Sequence, residues 1–118
     1  MSVAVVVLVV ADDEAVRHFI ERVLRQSDFE VESVGTAMAA AERLAKARYD
    51  AVVLDSADAF VVVRYLQSAD ASLIAKTVVA TSRPRDAANA AYRDVCRVIV
   101  KPFDARRLLE AVSECLAA

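Results

Sequence analysis

Three short apolar runs in this chain each end on charged residues. Val3 to Ala11 leads into Asp12 and Asp13, Ala51 to Leu54 into Asp55, and Val98 to Val100 into Lys101. Runs of this length without polar alternation read as strands buried on both faces, the pattern of a parallel sheet covered by helices. In such sheets the carboxyl ends of the strands share one edge, where open α/β folds bind their ligands. Three carboxylates and an ammonium group gathered there are electrostatically frustrated unless a cation or a transferred phosphoryl group completes the arrangement.

The segments between these runs supply the helices. Val16, Phe19, Ile20, Val23 and Leu24 recur at helical spacing, with Glu14, Arg17, Glu21, Arg22 and Arg25 facing elsewhere. Either Asp12 or Asp13 is placed to cap this helix. Phe29 to Val34 predicts a second strand, and the Ala-rich stretch Ala37 to Ala47 a second helix. A third helix is expected over about 59–68 with Asp58 as its cap, although Phe60-Val61-Val62-Val63 suits a strand equally on local propensity. Thr77 to Ala80 predicts a fourth strand, 86–93 a fourth helix, and Val95 to Val100 a fifth strand. Asp104 then caps a final helix carrying Leu108, Leu109, Val112, Cys115 and Leu116. Five alternating βα units imply an α/β fold, a doubly wound parallel sheet with helices on both faces.

Composition narrows the function. At 118 residues the chain fits one domain, 1–118, with no room for a DNA-binding or catalytic output domain, and Met1 fits a natural start. A net charge of −2 argues against a general nucleic-acid or anionic-membrane surface. The first apolar run is too short to span a membrane and no basic segment precedes it, so the expected location is cytoplasmic. A single glycine rules out both GxGxxG and GxxxxGK[ST] phosphate loops. Cys96 and Cys115 lack metal-ligand or redox spacing and are expected to be reduced core residues. His18 is expected in a structural role at the surface or half-buried, and the arginines at 83, 85, 93, 97, 106 and 107 form either a partner face or scattered solvated charges.

Taken in order, Asp12-Asp13, Asp55, Thr81 and Lys101-Pro102-Phe103 follow strands one, three, four and five. With this set the chain resembles, over essentially its whole length, a response-regulator receiver domain of two-component signalling. The resemblance implies a flavodoxin-like (βα)5 fold with strand order 2-1-3-4-5. It implies Asp55 as phosphoacceptor, taking a phosphoryl group from a phosphohistidine of a histidine kinase or histidine phosphotransfer protein, with Mg2+ as cofactor. Asp13 would bind Mg2+ directly, Asp12 through water, and Asp55 and the backbone carbonyl of Ala57 would complete the protein ligands. Thr81 and Lys101 would bind phosphoryl oxygens, and the Lys101-Pro102 bond would be cis. Such a domain is a signalling module, not an enzyme, and acts through a downstream protein partner.

Three features depart from the family pattern, one of them a slightly short stretch from Thr81 to Lys101 that places the change in the fourth helix. The loop from Asp55 to Ala59 is short, and Val98 stands where an aromatic switch residue is usual, so output must use another element. The alternative is a degenerate receiver that works as a phosphorylation-independent interaction module. An aspartyl-phosphate hydrolase is disfavoured because Ala57 offers no acid or base two residues after Asp55. A flavin carrier ranks last, for want of a phosphate loop after the first strand.

Overall fold

The computed structural model describes residues 4–117, so residue 3, the first of the opening apolar run, lies outside them. Five strands, β1 (Val6–Ala11), β2 (Glu30–Val34), β3 (Ala51–Asp55), β4 (Thr77–Thr81) and β5 (Arg97–Val100), form one parallel sheet in the order β2-β1-β3-β4-β5. Helices α1 (Glu14–Gln26), α2 (Ala37–Lys46), α3 (Ala59–Ala69) and α4 (Ala71–Ile74) fill the connections, apart from that between β4 and β5, and α5 (Ala105–Ala117) follows the last strand.

Strand alternation divides the core into two layers. Val7, Val9, Val53, Val78 and Ile99 pack with Ile20 and Leu24 of α1 and Leu108 and Val112 of α5. Leu8, Val10, Val52, Leu54 and Val79 pack on the opposite side with Ala40 of α2 and Val62, Val63 and Leu66 of α3. The central strands are wholly enclosed, and that is why they read as unbroken apolar runs.

The ambiguous Phe60-Val61-Val62-Val63 segment is helical. Ala59, Val62, Val63 and Leu66 are its buried residues, a spacing only a helix turns to one side, whereas Phe60 and Val61 are exposed. Burial outweighs the modest helix propensity of β-branched residues. Asp58 occupies the N-cap position of α3 but makes no side-chain capping bond, contrary to expectation. Asp58 N–H is instead bonded to Ser56 Oγ at 3.1 Å, within the short loop.

The expected fourth helix over 86–93 is replaced by two 3-10 turns, Pro84–Ala88 and Ala90–Tyr92. Asn89 breaks the run: its backbone is extended (φ −70°, ψ 125°) and its side chain accepts a hydrogen bond from Ala91 N–H at 2.9 Å. Asparagine's readiness to bond its own backbone defeats a helix that its alanine neighbours would favour. The cysteines are also corrected. Cys96, just before β5, is joined to Cys115 of α5 in a disulfide, because the sheet and helix bring the two Cα atoms to 5.8 Å.

Candidate functional site

The carboxyl ends of β1, β3, β4 and β5 open into a cleft of about 410 Å³ whose lining includes Asp12, Asp13, Asp55, Ala57, Thr81 and Lys101. Every charged or hydroxyl residue expected at the sheet edge therefore lies at one site. Val98 sits below it, packed against the α3 side of the core. The Lys101-Pro102 peptide bond is cis. Pro102 and Phe103 line an adjoining apolar hollow with Val16 and Phe19 of α1.

Asp55 ends β3 and is 8% exposed. Its Oδ1 accepts from Lys101 Nζ at 2.6 Å, while Oδ2 is buried without a hydrogen-bond partner. Alternation sends both side chains the same way, since positions 51, 53 and 55 of β3 and 99 and 101 around the end of β5 share a side of the sheet. A carboxylate with one oxygen neutralised and the other orphaned is an unfinished site, because a buried polar atom without a partner costs free energy.

The two acids after β1 have separate tasks. Asp13 caps α1, its Oδ1 accepting from Val16 N–H at 3.0 Å. Asp12 holds the short loop after β3: its carboxylate accepts from Ser56 Oγ at 2.8 Å and from Ala57 N–H at 3.0 Å. Among the described residues no three His, Cys, Asp or Glu side chains converge as a metal-binding group. Mg2+ does not need three, since it binds oxygen through one or two carboxylates and keeps several waters. The orphaned Asp55 Oδ2 and the acidic, oxygen-only donor set therefore fit a small hard cation.

Thr81 lines the same cleft as Asp55, but its hydroxyl is held by another acid. Its position in β4 has the parity of Val79, on the α3 side, and its hydroxyl donates to Asp86 Oδ2 at 2.6 Å. Arg83 Nε donates to the same oxygen at 3.2 Å, and Arg83 N–H donates to Thr81 Oγ1 at 3.1 Å. Asp86 is only 5% exposed, and the Thr81 hydrogen bond holds its carboxyl below the usual carboxylate range, with Arg83 assisting. Tyr92 is buried beside it, and its phenol is pushed up first by burial and then by the Asp86 charge.

Ser56, Ser82, Asp86 and Tyr92 are polar cleft residues to which the sequence reading gave no role, and Arg83, weighed only as a partner-face charge, joins them. Pro84 marked a helical first turn in the sequence, but nothing local singled out Asp86 as the acceptor of the Thr81 hydroxyl. Of the arginines weighed as a partner face, Arg83, Arg97 and Arg106 are paired with Asp86, Glu114 and Glu110. His18 is exposed, as expected.

Fold and site together define a doubly wound α/β domain with a buried carboxylate paired to a lysine at its carboxyl edge. Residues 7–113 match the response regulator receiver domain family, and the chain belongs to that family. Among solved structures it is similar to the chemotaxis response regulator CheY4 of Vibrio cholerae, at 21% identity and a TM-score of 0.86 over 96% of this chain and 99% of that one. It is similar also to a response regulator receiver protein from Sinorhizobium medicae, at 26% identity and 0.85 over 98% and 96%. The response regulator TrrA of Thermotoga maritima matches at 17% and 0.84 over 94% and 98%. No curated protein matches the sequence significantly. Among the described residues no helix is long and apolar enough to cross a membrane.

Proposed function

We propose that residues 1–118 form a cytoplasmic receiver that takes a phosphoryl group onto Asp55 from the phosphohistidine of a histidine kinase or phosphotransfer protein, and passes the signal on through protein contacts. The observation that carries this reading is the division of labour on Asp55: Oδ1 is held by Lys101, and Oδ2 is buried and unpartnered. In the transfer a carboxylate oxygen forms the new P–O bond as the P–N bond breaks, its electron pair returning to the imidazole. Lys101 is placed to follow the negative charge from the carboxylate onto a phosphoryl oxygen. Thr81 would donate to a second oxygen once released from Asp86.

Asp13, Asp55 and the Ala57 carbonyl would hold Mg2+ directly, with Asp12 reaching it through water. When bound it would neutralise phosphoryl charge. The neighbour TrrA was solved in complex with Mg2+-BeF, which supports this assignment by analogy. Asp12 must then share its carboxylate between Ser56 and the hydration shell.

The test is intact-mass analysis after incubation with acetyl phosphate, with and without Mg2+, on wild type and Asp55→Asn. A metal-dependent phosphoryl adduct on wild type alone is expected. A folded, magnesium-replete wild type that takes up none would refute the reading and leave a phosphorylation-independent interaction module.

A further inference from the structure

Thr81 carries one hydroxyl proton, and Asp86 holds it. A hydroxyl donates one hydrogen bond at a time, so Thr81 cannot serve Asp86 and a phosphoryl group on Asp55 together. Asp86 is buried, lines the same cleft as Asp55 and Lys101, and is anchored by Arg83 as well as by Thr81. It lies in the first of the two 3-10 turns, whose hydrogen-bond geometry is poorer than that of an α-helix and yields more readily. The second turn ends on buried Tyr92, which also lines the cleft.

We propose that Asp86 is a positioning residue that latches Thr81 away from Asp55 in the unmodified domain. An incoming phosphoryl group must exchange one acceptor of the Thr81 proton for another, and segment 84–92 is released with Asp86. This supplies an output element in a chain whose position 98 is valine: the moving part is the pair of 3-10 turns. The inference rests on the phosphoacceptor reading above. A ligand that frees the latch spends part of its binding free energy on doing so, so removing the latch raises apparent affinity.

The probe is beryllofluoride with Mg2+, titrated into wild type, Asp86→Ala, Thr81→Ala and the double variant. Asp86→Ala is expected to tighten binding by about tenfold, on the scale of a hydrogen bond to a charged group. In the Thr81→Ala background the same substitution is expected to give no gain. A gain of equal size in both backgrounds would overturn the latch, because it would then report only removal of a negative charge near an anion. No gain, or a loss, in Asp86→Ala that is folded by circular dichroism would overturn it too. Asp86→Asn, which keeps an acceptor, is expected to fall between wild type and alanine; if Asp86→Ala does not fold, an affinity for Asp86→Asn no tighter than wild type refutes the latch.

Amide exchange in the metal-free protein gives an independent readout. The Arg83 N–H, bonded to Thr81 Oγ1, is expected to exchange faster in Asp86→Ala, as it should in wild type once beryllofluoride binds. Unchanged Arg83 exchange in both cases would overturn the proposal. If neither wild type nor Asp86→Ala binds beryllofluoride, the phosphoacceptor reading fails and the latch with it. If wild type binds and Asp86→Ala binds identically, only the latch fails.

Discussion

Replacing Lys101 with methionine removes the ammonium group but keeps most of the aliphatic stem, so the loss isolates the charge. Lys101 Nζ lies 2.6 Å from Asp55 Oδ1, with the two side chains 33% and 9% exposed. Exposed ion pairs contribute roughly 0.2–1 kcal/mol, whereas stripping the partner from a fully buried pair costs about 3–5 kcal/mol. Asp55 belongs with the buried groups and Lys101 with the half-exposed ones, so the expected cost is about 2 kcal/mol. Oδ2 has no partner to share that load, and the variant leaves a buried carboxylate with neither oxygen engaged. In the Asp55→Asn background the charge is gone, and the same Lys101→Met change should cost less than about 0.5 kcal/mol. The assay is urea unfolding of the four proteins in chelator-treated buffer at neutral pH, with m-values compared so that only midpoint shifts are read as stability. An equal cost of Lys101→Met in both backgrounds would refute the reasoning, since the lysine would then be contributing through packing and not through Asp55.

Other expectations follow from single features. Burial, followed by a hydrogen bond from its hydroxyl to Glu32, pushes the Tyr49 phenol up to about 12. The folded chain therefore keeps this proton where the unfolded chain releases it. The contribution is whole below pH 10 and is lost as pH climbs toward about 12. Wild type should lose roughly 2–3 kcal/mol more than Tyr49→Phe over that window in pH-dependent urea unfolding, and parallel profiles would refute it. The Cys96–Cys115 bridge spans 19 residues of sequence and encloses Lys101, so paired Cys96→Ser and Cys115→Ala should cost about 3 kcal/mol by loop-closure entropy. Equal denaturation midpoints with and without the bridge would refute that. The mass adduct lost in Asp55→Asn and the tighter beryllofluoride binding of Asp86→Ala complete the set.

The sequence carried much of the site because strand ends are local features. An enclosed strand must be apolar throughout, so the first charged residue after it marks the edge, and this found Asp12, Asp13, Asp55 and Lys101 without coordinates. It also gave the helical period of α1 and the capping acid of α5, where Asp104 Oδ1 accepts from Arg107 N–H at 2.9 Å. Local pattern was weaker wherever two preferences competed. The 59–69 segment was settled by which residues the sheet buries, and the 84–92 segment by Asn89 bonding its own turn.

Tertiary structure alone decided the partners. Two adjacent aspartates look alike in sequence, yet one caps α1 and the other ties down Ser56 and Ala57, a distinction made by a loop more than forty positions away. Cys96 and Cys115 have no telling spacing and are paired because β5 and α5 are packed together. Thr81 was placed at the correct edge, but the group that holds its hydroxyl, Asp86, became visible only when the chain turned back through Pro84. Periodicity is a property of neighbours along the chain and fixes burial and direction. A hydrogen bond or disulfide between distant groups is a property of the assembled fold, where the geometry is first defined.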